Sequence, residues 1–144
     1  MNNLHKHLDY IQNIITRMAS NSFYIKGWTI TLVSGILILA SNTSEWWYYL
    51  FPSCPVLFFW ALDSYYLYLE RKFRDFYNYI RVKKEHEIDF SMKINNDILS
   101  PKTKYFKCLF SPSTILFYLP LLFVTIVIVI LSIRYNTSLP TTKS

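Results

Sequence analysis

The chain has 144 residues, enough for one domain, and is 52% hydrophobic and 19% aromatic, with only 17% charged residues and two glycines. That mix argues against an ordinary water-soluble domain and for a membrane protein. The formal net charge is +6, and where it lies says more than its total. The two cysteines, Cys54 and Cys108, fall near opposite faces of the expected membrane, so no disulfide is expected between them. Together with His5, His7 and His86 they show no zinc-site spacing, and no metal or cofactor is expected.

Residues 1–22 are expected to form a cytoplasmic amphipathic helix. Leu4, Leu8, Ile11, Ile15 and Met18 recur every three or four residues and make one apolar stripe. The helix would lie on the inner membrane surface or pack on the cytoplasmic loop. Asn21-Ser22 reads as a bend before the first span.

Three stretches can cross about 30 Å of hydrocarbon as helix: residues 23–40, 46–69 and 112–133. No small-residue cleavage pattern follows the first, so it is expected to be retained. The turn at residues 41–45 is short and joins antiparallel neighbours. Trp28 lies near one boundary of the first span, and Trp46, Trp47, Tyr48 and Tyr49 form an aromatic belt at the other. Pro52 and Pro55 are expected to kink the second span, and Pro120 the third. Ser111-Pro112 suits a helix start.

Residues 70–107 form the basic region, with ten of the fifteen lysines and arginines. The turn 41–45 has none, so the positive-inside rule puts the N-terminus and the basic region in the cytoplasm and the tail 134–144 outside, polar and disordered. The second helix is expected to run on to about Lys84, with Phe73, Phe76, Tyr77 and Ile80 on one face. Glu70 with Arg74 and Arg71 with Asp75 sit four apart and suit ion pairs. In residues 88–94, Ile88, Phe90, Met92 and Ile94 alternate, predicting a short extended segment with those side chains on one side. The loop 95–102 leads to the third span. The expected fold is therefore an all-α membrane protein of three transmembrane helices, with an amphipathic N-terminal helix, a basic cytoplasmic helical extension and a short extended segment.

Two features invite function. Asp63 sits inside the second span, where a carboxylate is costly. Lys26 enters the first span at a similar depth, so the two can pair, with Ser64 and nearby tyrosines as further donors; alternatively, Asp63 lines a pore or water-filled vestibule. The second feature is the run Arg71, Lys72, Arg74, Arg81, Lys83 and Lys84. Such residues set topology and contact anionic lipid. Multiplied around an oligomer axis they would also attract phosphates, and Phe76, Tyr77 and Tyr79 could stack bases. No phosphate loop, HExxH or GxSxG occurs, so no enzyme activity is expected.

Residues 11–35 and 58–81 carry a resemblance. RMASNSFYIKGW and WALDSYYLYLERKFRDFY match the patterns RMAxNSFxLKGW and WxLDxYYLxxERxFRxxY of a group of small bacterial inner-membrane proteins. These are membrane effectors of anti-phage operons, and the chain resembles the ion-channel effectors of Hailong-type systems. The matching positions are Arg17, Met18, Asn21, Ser22, Lys26, Gly27 and Trp28, then Asp63, Tyr65, Tyr66, Glu70, Arg71, Arg74 and Tyr77. Ile25 departs from the leucine of the pattern, and Ser64 stands at an open position where alanine is expected. The likeness covers about half the chain and omits residues 85–107 and the third span. It implies an oligomeric channel held closed by short single-stranded DNA from a partner nucleotidyltransferase, which depolarises the inner membrane when released. A non-conducting anchor that recruits a cytoplasmic partner, or a membrane-disrupting protein without ligand gating, are the alternatives. The third span could face lipid or form a hydrophobic gate, and Thr29, Thr31 and Ser34 make the first span the other pore candidate.

Overall fold

The computed structural model describes residues 3–43 and 45–138. It is all-helical, with no strand among the described residues. The first element, α1, is one unbroken helix, Asn3–Ser41, of 39 residues. At roughly 1.5 Å per residue it is about 58 Å long. The bend expected at Asn21-Ser22 is not made. Its absence follows from the pattern: Ile11, Ile15, Ile25, Thr29, Val33 and Ala40 are buried along one stripe that runs through both the amphipathic and the apolar halves. A straight helix keeps that stripe against a single partner.

A turn follows, with Asn42 and Thr43 N–H bonding back to Leu39 and Ala40 at 3.3 and 3.1 Å. Trp46–Leu50 is a 3₁₀ turn, and α2 begins only at Ser53 and runs to Ile80. This corrects two expectations. The second helix does not start at Trp46, and Pro52 precedes it while Pro55 lies within its first turn, so neither interrupts it. First-turn N–H groups have no partner within a helix, so proline costs little there. The helix also ends before Lys84, with Arg81 N–H on Tyr77 O at 3.0 Å.

α1 and α2 pack as a hairpin. At its amphipathic end Ile11, Ile15, Phe76, Ile80 and Ile88 form a buried cluster, flanked by Leu4, Leu8, Phe73, Tyr77, Met92, Ile94 and Ile98. The N-terminal stripe therefore covers the extension of α2, the second of the two placements its pattern allows. Ile88, Met92 and Ile94 reach this cluster without forming a strand. Phe90 breaks the expected alternation: its φ is 50° and it is 41% exposed. Left-handed backbone is unfavourable for a bulky residue.

Residues 105–109 form a short helix, α3 (Tyr105–Leu109), which the sequence pattern did not suggest. The last helix, α4, is Pro112–Ser138, with Pro112 at its first position and Pro120 inside it. It outruns the expected span by five residues at its C-terminal end, so the first part of the expected tail is helical. Residues 139–144 lie outside the described residues. α4 packs against α2 and against the 46–50 turn. Val33, Val56 and Tyr118 centre a second cluster, joined by Leu37, Phe59, Trp60, Phe117, Leu121 and Leu122.

The sorting of side chains on α4 is the reverse of a water-soluble helix. Thr114, Tyr118 and Thr125 are buried, whereas Leu116, Phe123, Ile130 and Leu131 are exposed. Each buried threonine satisfies its hydroxyl on a nearby carbonyl: Thr125 on Leu122 O at 2.8 Å, Thr114 on Ser111 O at 2.9 Å. Phe23, Trp28, Ile38 and Leu39 are likewise exposed on α1. Apolar surface of this extent is far more than a water-soluble monomer shows. α1 and α4 are both long and apolar enough to cross a membrane.

Candidate functional site

Asp63 is the only fully buried charged side chain among the described residues, on the face of α2 that meets α1. Ser22 and Lys26 are four apart on α1 and so share a face. The Lys26 Nζ lies 2.6 Å from Asp63 Oδ2 and donates to Ser22 Oγ at 3.0 Å. The Ser22 hydroxyl donates in turn to Asp63 Oδ1. Each carboxylate oxygen thus has one donor, and the three polar groups close a ring between two helices. Ser64 does not contribute, because its hydroxyl turns back to Trp60 O at 2.7 Å, on its own helix. The serine that completes the ring was legible as an i, i+4 partner of Lys26.

α4 closes over this ring. The Phe117 ring centroid is 5.9 Å from Lys26 Nζ. Tyr118 is fully buried and stacks on Trp60 at 6.1 Å, with the ring planes 8° apart. Its hydroxyl is within electrostatic reach of Asp63 and Thr29 but makes no hydrogen bond of ordinary geometry. Trp60 Nε1 donates to Leu109 O at 3.0 Å and ties α3 to α2. One buried carboxylate therefore sits where three helices meet.

The six basic residues expected to receive a regulator are not gathered at one place. Arg71 folds toward α4, with Nη2 donating to Ser111 Oγ at 2.8 Å and Nη1 to Lys102 O at 3.3 Å. The pair expected between Arg71 and Asp75 is not formed: Asp75 accepts instead from Ser100 N at 2.9 Å and Thr103 Oγ1 at 2.5 Å. A carboxylate on a helix flank gains more from two loop donors than from a solvated arginine. Arg74 does pair with Glu70, at 2.5 Å. Lys72 is half-buried, and Arg81 and Lys84 are exposed at the end of α2. Lys83 lies 4.3 Å over the Tyr79 ring and borders a cleft of about 230 Å³ with Lys93, Glu87 and Asp89. Acids on that wall weaken its pull on an anion.

The residues of the two resembling patterns are similarly divided. Ser22, Lys26 and Asp63 meet in the ring, and Asn21 is half-buried beside it in sequence. Arg17, Gly27 and Trp28 are exposed on α1, with open space at Gly27 where a Cβ would stand. Tyr66 and Tyr77 are half-buried. Tyr65 faces a cleft of about 730 Å³, with Tyr68, Leu99, Lys104 and Tyr105. The i, i+3 spacing of Tyr65 and Tyr68 was its only sequence signal. Cys54 and Cys108 are both free thiols. Burial pushes the Cys108 thiol up from its usual range, and the Arg71 guanidinium opposes this.

Comparison with protein families, curated proteins and solved structures finds no match. The fold and the ring define a helical protein in which α1 and α4 are long and apolar enough to cross a membrane and a buried lysine–aspartate pair joins α1 to α2.

Proposed function

We propose that the chain is an inner-membrane effector of anti-phage defence: an oligomeric ion channel with three crossings, gated through its basic cytoplasmic end by a nucleotide or short single-stranded DNA. The observation that carries this reading is the continuity of α1 and α2. α2 has 28 residues, about 42 Å of helix, and hydrocarbon takes about 30 Å. Both helices extend out of the membrane as rods and bury one cluster at their ends. A ligand that moves the cluster moves the spans, with no hinge to absorb the shift. The same helices hold the Lys26–Asp63 pair, which keeps them in register.

α4 supports the third crossing. It returns from α3 to the 46–50 turn, the far end of the hairpin. α2 is less apolar than α1 and α4 because tyrosines and Asp63 interrupt it, yet tyrosine suits a membrane interface. With ten of the chain's fifteen basic residues in 70–107, positive charge gathers on one side. Gating requires the regulator to bind closed and open states unequally.

The 730 Å³ tyrosine cleft favours a second reading, a non-conducting anchor that holds a partner protein at the membrane. A membrane-potential dye separates the two in cells. Induction of the chain without any regulator is expected to depolarise the inner membrane within minutes. Unchanged potential with confirmed membrane insertion would leave the anchor.

A further inference from the structure

We propose that the cleft between α3 and the foot of α4 binds the headgroup of an anionic glycerophospholipid. The inference rests on α4 crossing the membrane, and not on conduction. The cleft measures about 660 Å³ and is bordered by Arg71, Lys102 and Lys107, with no acidic residue on its wall. Arg71 is fixed there by Ser111 and by the Lys102 carbonyl. Those bonds use two of its five N–H donors, so a preset guanidinium remains for a phosphate, to which arginine binds in a forked geometry.

The apolar surroundings select a lipid over a soluble anion. Phe106 and Phe110, on the cleft wall, are 74% and 62% exposed. Just above, on α4, Leu116 is 79% exposed. Acyl chains below a bound headgroup would cover these exposed apolar side chains. A basic hollow at the end of an apolar helix, with phenyl rings on its rim, complements an amphiphile with a negative head. Basic pockets at the cytoplasmic ends of membrane helices bind phospholipid heads by this chemistry. The spread of the cations decides the location: Lys83 shares its cleft with Glu87 and Asp89, whereas the three here face no acid.

The test uses full-length protein in neutral detergent, titrated with short-chain phosphatidylglycerol or phosphatidylcholine, with bound lipid read by native mass spectrometry. Phosphatidylglycerol is expected to bind at least about tenfold more tightly. K102Q/K107Q, which changes two exposed side chains, should lower its affinity about 30-fold, the weight of two surface cations. R81Q/K84Q, an equal charge change elsewhere, should leave it unaltered. Equal losses in both variants would overturn the site in favour of diffuse charge. Equal binding of the two lipids would overturn the headgroup preference. Competition by millimolar inorganic phosphate as effective as the lipid would make it a soluble-anion site. The lipid and phosphate comparisons use the unaltered chain, so they stand even if a variant folds poorly. A carbonate wash of the membranes separately checks that the chain is integral, and so distinguishes failure of the site from failure of the membrane reading.

Discussion

Lys26→Met removes the cation from a carboxylate that has no exposure at all. At the 2.6 Å separation of Lys26 Nζ and Asp63 Oδ2, the gross attraction is about 6 kcal/mol at an effective dielectric of about 20. Desolvation of both groups offsets much of this, so the intact pair adds little net stability. Removing one partner differs, because the other stays buried and uncompensated, at about 3–5 kcal/mol. The Ser22 hydroxyl remains on Oδ1 but carries no charge. Lys26→Met alone is therefore expected to destabilise by about 3–5 kcal/mol, and Lys26→Met with Asp63→Leu to recover most of the loss. The assay is reversible unfolding in mixed micelles, followed by helical circular dichroism, with the intact oligomer assayed in parallel. A single variant that costs less than about 1 kcal/mol would show that the pair is not buried, since that is the worth of an exposed pair. A double variant as unstable as the single one would show that the uncompensated carboxylate is not the cause of the loss.

Four other outcomes follow from the same contacts. Ser22→Ala should cost about 1.5–3 kcal/mol, the range for a hydrogen bond to a charged group, and Ser22→Thr should recover part of it in the same unfolding assay. Phe76→Ala, at a position 3% exposed, should cost about 3–5 kcal/mol and raise hydrogen exchange over residues 3–20 while sparing 112–138. If the basic end of α2 binds single-stranded DNA, R81Q/K84Q should lower the salt slope of binding by about 1.4, or 0.7 per lost contact; an unaltered slope in fluorescence anisotropy would move the DNA site elsewhere. Finally, a membrane-impermeant maleimide should label Asn42→Cys in intact spheroplasts of a cysteine-free background, and should label Lys104→Cys only after lysis. The reverse pattern would invert the topology.

Much of this arrangement was written in residue spacing. The stripe Leu4–Leu8–Ile11–Ile15–Met18 announced a helix, and the same period carried on through Ser22, Ile25, Thr29 and Val33. Reading Asn21-Ser22 as a bend lost that continuity, because asparagine and serine are unfavourable inside a helix chiefly through side-chain bonds that compete for local backbone. Here the Ser22 hydroxyl turns to Asp63 on the neighbouring helix. Prolines were misplaced for a related reason: composition sets where proline is unwelcome, but the 3₁₀ turn at Trp46–Leu50 delayed the helix start enough to make Pro52 and Pro55 harmless. The Lys26–Asp63 contact was legible because equal depth on antiparallel neighbours leaves few partners for a buried charge. The fate of Arg71 and Asp75 was not. Both lie on one helix at pairing distance, yet each is captured by the 100–111 segment, whose folding depends on contacts distant in sequence. For the same reason both the lipid cleft and the tyrosine cleft escaped notice: each is half built from that segment.

Ion flux from liposomes that hold the purified oligomer, with and without short single-stranded DNA, tests the proposed function most directly. Flux from protein alone is expected, with suppression as DNA is added and a weaker effect as salt is raised. No flux from folded, inserted oligomer, or flux that DNA leaves untouched across that salt range, would contradict the proposed function.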